Sequence, residues 1–163
     1  VSQEKLFSGQ LPNRLIIACV DNRAINGDLT RNPFNFQHFS LRALSVYLDG
    51  QQIGIKPIAL DYANGQYVTS YMSLFNGTGK DNRDEGNDID RQDYANGYAL
   101  YAFDLSPDLT DSESFSLARQ GTVRVDLTFG EALASTVTVV AYAEFENIIE
   151  IDRNRNVVFD FNN

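Results

Sequence analysis

Few side chains in this sequence could do chemistry, and each lacks the companions its chemistry needs. Cys19 is the one cysteine and His38 the one histidine. A lone cysteine can form neither an internal disulfide nor, by itself, a zinc site. Cys19 beside His38 would make a nucleophile and its base. Cys19, however, falls inside the apolar run Leu15-Ile16-Ile17-Ala18-Cys19-Val20, where a thiol packs as an inert hydrophobe. One histidine also excludes the two- or three-histidine metal sets of cupins. Gly77-Thr78-Gly79-Lys80 resembles the end of a phosphate-binding loop. That loop needs Gly where Leu74 stands and Ser or Thr where Asp81 stands, so the segment reads as a flexible turn. An EF-hand phase starting at Asp81 puts Arg83 at the third ligand position and Gln92 at the twelfth, although Glu85 and Gly86 fit the fifth and sixth. A cation and an amide break the site. Glu144, Glu146 and Glu150 fall on one strand face, whereas glycosidase carboxylates face each other across a sugar. Arg119, Arg124, Arg153 and Arg155 are their simpler cross-strand partners. Asn76-Gly77-Thr78 spells a glycosylation sequon. The expectation is therefore a non-enzyme: no catalytic residue, no cofactor and no metal.

The elements that would carry these residues are mostly strands. Residues 15–20 form a compact apolar run, and residues 21–35 break it with Asn-Gly, Asn-Pro and charges, which predicts a long loop. Residues 41–48 alternate, with Leu44, Val46 and Leu48 on one face and Ser45 and Tyr47 on the other. Asp49-Gly50 follows at once, then Gln51-Gln52-Ile53-Gly54-Ile55, a hairpin signature because both turn residues tolerate positive φ. Tyr67, Tyr71, Leu74 and Phe75 share one helical face, which predicts a short helix over 67–75. Residues 76–93 hold Asp81, Asp84, Glu85, Asp88, Asp90 and Asp93 against a single aliphatic residue, Ile89. They predict an exposed acidic loop that makes no core contact.

The β pattern then resumes. A strand is expected over 98–105, ended by Ser106-Pro107-Asp108. Another is expected over 122–129, with Val123, Val125, Leu127 and Phe129 facing in. A long strand over 136–149 follows, with Val137, Val139, Ala141, Ala143 and Phe145 facing in, and a short one over 157–161 ends the chain. Strands at this spacing without interleaved long helices predict an all-β, antiparallel sandwich. The unequal, long connections favour a jelly roll.

Composition narrows the partners. The chain has 163 residues, which suits one domain over 1–163. Net charge is −9, with 13 basic and 22 acidic residues, and no three basic residues are adjacent. Such a surface repels phosphate, so no direct nucleic-acid binding is expected. No apolar run approaches the roughly 18 residues of a membrane span, so no membrane contact is expected. The first residues carry no basic and apolar leader pattern, and the expectation is a protein not secreted through a signal peptide. The chain begins with Val, which predicts a processed or excised piece of something longer.

Several ordered segments carry a resemblance. They are Leu6-Phe7-Ser8-Gly9-Gln10-Leu11-Pro12, Val20-Asp21-Asn22-Arg23-Ala24 and Arg31-Asn32-Pro33-Phe34-Asn35-Phe36. Tyr47-Leu48-Asp49-Gly50-Gln51-Gln52, Asn96-Gly97-Tyr98, Phe103-Asp104-Leu105 and Ala143-Glu144-Phe145-Glu146-Asn147 complete the set. Together the chain resembles the C-terminal part of the major capsid protein of Polinton/Maverick elements, also called adintoviruses. The resemblance implies a double jelly-roll capsid protein of which this chain is the second jelly roll. It implies a structural role in capsomers of a virus-like icosahedral capsid. The implied partners are itself, as a trimer, and other capsid proteins, in a virion assembled inside the host cell. Under this reading Asn32, Pro33, Phe34, Asn35 and Phe36 are candidate subunit-contact residues, and their simpler role is a lid over the open end of the sandwich. With strand or flank missing upstream, the segment before Leu15 is expected to be poorly packed or swapped between chains. The alternative function is a jelly-roll binding module of lectin or cytokine type.

Overall fold

The computed structural model describes residues 1–54, 56–81, 83–106, 119–147 and 149–159. Among them the chain order is β1 (Ser2–Gln10), β2 (Arg14–Asp21), α1 (Asn22–Ile25), β3 (Leu41–Leu48), β4 (Gln51–Gln52), β5 (Ile58–Ala59), α2 (Val68–Gly77) and α3 (Arg91–Ala95). The rest is β6 (Leu100–Asp104), β7 (Gln120–Phe129), β8 (Val137–Glu144), β9 (Ile149–Ile151) and β10 (Val157–Phe159). All strand pairings are antiparallel. One sheet runs β1-β7-β3-β4 with β5 also on β3, a second runs β6-β2-β8, and β9 pairs with β10 alone. The two larger sheets form a sandwich, so the protein is all-β.

Alternation places the core. Leu44 and Val46 of β3 pair with Leu127 and Val125 of β7, and all four are buried. They meet Leu15, Ile17 and Cys19 of β2 and Tyr101 of β6 from the other sheet. Leu48, Val123 and Leu105 complete this layer. The outer face of β6 and β2 is covered as well. There Leu74 of α2, Tyr94 of α3 and Ala102 of β6 form a second cluster with Ile16 against it. A strand covered on both faces reads as a continuous apolar run, and that is why residues 15–20 show no alternation. Gly77 lets α2 approach: a Cβ there would lie 2.7 Å from the Ala102 Cβ.

The hairpin forms where the sequence places it. Asp49 and Gly50 have φ of 48° and 80°, and Leu48 pairs with Gln51. Its far end, Ile55, lies outside the described residues. The helix also forms, running slightly beyond the expected 67–75.

Four local expectations are corrected. The segment before Leu15 is neither loose nor unpaired. β1 pairs with β7 from Ser2↔Asp126 to Gln10↔Gln120, with a bulge between Gln3 and Phe7. Its backbone supplies the contacts, while only Leu6 and Phe7 of its side chains pack on the core. The loop over 21–35 contains α1, a turn of helix capped by the Asp21 side chain. The strand expected over 98–105 starts at Leu100, because Tyr98 and Gly97 bridge to Phe36 instead. The strand expected over 136–149 ends at Glu144, whose carbonyl accepts the Asn13 N–H (2.8 Å). Ile149–Ile151 belongs to the separate β9–β10 pair. Val137, Ala141 and Ala143 face the core as expected, but Val139 is 39% exposed because β8 ends its sheet, and Phe145, past the end of the strand, is 44% exposed. Pro107 and Asp108, expected to end β6, and Ile148, Asp160 and Phe161 lie outside the described residues.

Candidate functional site

The candidate contact segment is held by carboxylates at the end of β2. Asp21 caps α1 by accepting the Arg23 N–H (3.0 Å), and its other oxygen pairs with Arg31 (2.8 Å). Its carboxyl is held below the usual range, first by hydrogen bonds from Arg23, then by the charges of Arg23 and Arg31, against some desolvation. Asp28 accepts from Thr30 N–H and hydroxyl and pairs with Arg31 (3.2 Å). Arg31 thus bridges two carboxylates and fixes the approach to Asn32.

From there the chain is a built turn. Asn32 Oδ1 accepts the Phe34 N–H (2.9 Å), and the Asn32 carbonyl accepts the Asn35 N–H (3.2 Å). Asn35 Oδ1 accepts from Gln37 Nε2 (2.7 Å), and Gln37 N–H donates to the Cys19 carbonyl (3.0 Å). Phe36 donates its N–H to the Gly97 carbonyl and accepts from Ala99 N–H. Gly97 has φ 141°, and a Cβ there would stand 3.1 Å from Asn35 Oδ1.

This anchoring leaves Phe34 outside. It is 71% exposed, with an edge-to-face partner in the half-buried Phe36 at 6.5 Å. Tyr98, beside Phe36, is also exposed. Asn32, Pro33 and Asn35 are exposed. Phe34 thus points to solvent, and Phe36 is half-buried. Beneath the segment lies a cavity of about 320 Å³ lined by Val20, Ala24 and Phe39 together with Asp21, Arg31 and Asn35.

The acidic residues Asp81, Asp84, Glu85, Asp88, Asp90 and Asp93 are all exposed. They do not form a loop free of the core, however. Ile89 packs against the cluster under α2, and its carbonyl accepts the Tyr71 hydroxyl (2.9 Å). Asp90 caps α3 by accepting the Asp93 N–H (2.7 Å). Gly77, at the other end, is buried. Among the described residues no three His, Cys, Asp or Glu side chains converge as metal ligands would.

Cys19 is buried, and burial pushes its thiol up to about 11, which disfavours the thiolate a nucleophile needs. His38 is engaged elsewhere. Its Nδ1 accepts the Ser40 N–H (2.9 Å), and its ring stacks on Tyr62 at 3.9 Å.

That stack opens a feature the sequence does not reveal. Tyr62 stacks in turn on Tyr67 (5.0 Å), Tyr67 on Tyr94 (6.1 Å), and Tyr94 meets Tyr101 edge-on (6.4 Å). The Tyr62 and Tyr101 hydroxyls share a hydrogen bond of 2.8 Å, and burial raises both phenols. Arg91 lies over the Tyr67 ring. The density of tyrosine over 62–101 was the available signal, but the rings come from a loop, two helix regions and β6. No periodicity connects them. At the His38 end is a cavity of about 350 Å³, with Arg42, Asp61, Tyr62 and Glu131 among its lining.

In sequence, the chain is similar to "Uncharacterized protein F54H12.2" of Caenorhabditis elegans, at 34% identity over 158 residues. The match covers 95% of this chain and 38% of that protein. No protein-family profile matches the chain, and no solved structure matches it.

Proposed function

We propose that the chain is a jelly-roll structural domain that builds capsomers of a virus-like icosahedral capsid, and that it works by self-association. The observation that carries this reading is the strand connectivity. The links β1→β2, β2→β3, β6→β7 and β7→β8 each pass from one sheet of the sandwich to the other. One sheet then has the order β1-β7-β3-β5, in which the first and the late strands are neighbours. This alternation between sheets supports a jelly-roll wrapping. An exposed Phe34 on a rigidly anchored turn supports a contact role, because aromatic and arginine side chains are enriched at subunit contacts. The proposed partners are further copies of the chain in a trimer and other capsid proteins, and the proposed location is the virion.

Native mass spectrometry of the purified chain at micromolar concentration tests this. The reading predicts a species at three times the 18.3 kDa chain mass that Phe34→Ser depletes. A chain that stays monomeric, or a trimer indifferent to Phe34→Ser with Asn32→Ala, contradicts it.

A further inference from the structure

β8 ends its sheet with one side open. It pairs with β2 from Asp21↔Val137 to Arg14↔Glu144 and has no strand on its other side. The Asn22 N–H donates to the Thr136 carbonyl (3.1 Å) directly opposite it. This fixes the phase of the ladder, since antiparallel residues turn alternately toward and away from a given neighbour. Thr138, Val140, Tyr142 and Glu144 turn their N–H and C=O toward β2. Val137, Val139, Ala141 and Ala143 turn theirs outward, and among the described residues these groups have no partner.

Open edges are normally blunted by charge, proline, glycine or a bulge. The edge strand of the other sheet follows this rule: β1 carries Glu4, Lys5 and Gly9 and has a bulge. β8 does not. Val137-Thr138-Val139-Val140-Ala141-Tyr142-Ala143 contains no charge, proline or glycine and has an unbroken register with β2. Val139 and Tyr142 are exposed along it.

We propose that the open side of β8 is an interface with a second copy of this chain, paired antiparallel across a twofold axis through Val140. The edge is self-complementary in this register. Val137 stands opposite Ala143 of the second copy and Val139 opposite its Ala141, so all four outward-turned residues form hydrogen-bonded pairs. No other twofold register uses all four within the strand. Between these pairs Val140 faces Val140, and Thr138 faces Tyr142, a β-branched and aromatic pairing that stabilises sheets. Glu144 falls opposite Thr136, so no like charges meet although the chain carries −9. The result is one continuous sheet, β6-β2-β8 joined to its twofold mate. This contact goes beyond the capsid reading. A capsomer trimer needs a threefold contact, so the absence of trimers leaves the twofold pairing standing.

The test uses Val140→Lys and Val140→Glu in sedimentation velocity at micromolar concentration. In a Phe34→Ser background, which removes the proposed threefold contact, the chain is expected to sediment as a dimer and each Val140 variant alone as a monomer, because like charges then face each other on the axis. An equimolar mixture of the two variants is expected to restore the dimer, with Lys opposite Glu. Should either variant lose the β-sheet circular dichroism of wild type, Ala141→Pro replaces it. That change removes an outward N–H and leaves the β2 ladder its bonds, and it is expected to give a folded monomer. A Phe34→Ser chain that is itself monomeric, or a dimer that persists in every variant, overturns the proposal.

Discussion

At the scale of single residues, His38 couples the fold to pH. Burial lowers its basicity from the ordinary 6.5 or so, and its Nδ1 must stay unprotonated to accept the Ser40 N–H. That bond spans Phe39 and Ser40, which both hold positive φ without being glycine. A histidine whose folded pKa is depressed contributes stability above its unfolded value and loses it as pH falls through the folded one. Urea denaturation should therefore show stability falling as pH drops below about 6.5. His38→Asn, whose Oδ1 keeps the acceptor, should flatten that slope. The half-buried Asp21, Asp28 and Asp61 and the exposed Asp152, all shifted down chiefly by local hydrogen bonds, contribute stability above the ordinary carboxylate value and lose it only at lower pH. An unchanged slope just below about pH 6.5 in His38→Asn would contradict this role of His38. The tyrosine pair makes a second prediction at this scale. Tyr62→Phe or Tyr101→Phe alone leaves a buried hydroxyl short of its partner and should cost about 1–3 kcal/mol. The double variant should cost less than the sum, and strict additivity in the cycle would deny the bond.

At the scale of elements, the legible parts were those whose own side chains decide their state. β2, β3 and β7 carry β-branched and apolar runs, and α2 carries Tyr67, Tyr71, Leu74 and Phe75 on one face. Tertiary partners decided the rest. β1 has only Leu6 and Phe7 to offer a core, and it is a strand because β7 supplies hydrogen bonds along its length. α1 and α3 span four and five residues, too short for a period, and are set by the caps Asp21 and Asp90. The candidate contact segment was visible as a loop with two phenylalanines, but not that Phe36 is half-buried and Phe34 exposed. That division depends on Gly97, sixty residues away in the chain. A close junction between elements is α2 on β6, where Gly77 meets Ala102. Gly77→Ala should lower stability by about 1–3 kcal/mol through overpacking. Gly86→Ala, in an exposed position with its nearest contact at 3.9 Å, should change it little. Equal effects in chemical denaturation would mean that α2 and β6 do not pack so closely.

At the scale of the whole molecule, a two-sheet sandwich carries the surfaces that the two proposals assign to contact between copies. The buried residues form two clusters, one between the sheets and one under α2 and α3. The chemistry-bearing side chains are spent on structure: Cys19 in the core, His38 in a turn, and Asp21 and Asp90 on helix caps. Among the outward features are Phe34 on its anchored turn and the open side of β8. The net charge of −9 opposes association of copies at long range, and salt screens it with a Debye length of about 8 Å at physiological strength. Assembly should accordingly strengthen as salt is raised. The chain spans 38% of the length of its nematode relative, so the most direct test of the capsid account uses the full gene product. It should be expressed in cells, banded on a density gradient in physiological salt, and viewed by electron microscopy. The account predicts closed particles of uniform diameter tiled by pseudo-hexagonal capsomers. A soluble product that bands as single molecules and forms no regular particles would contradict it.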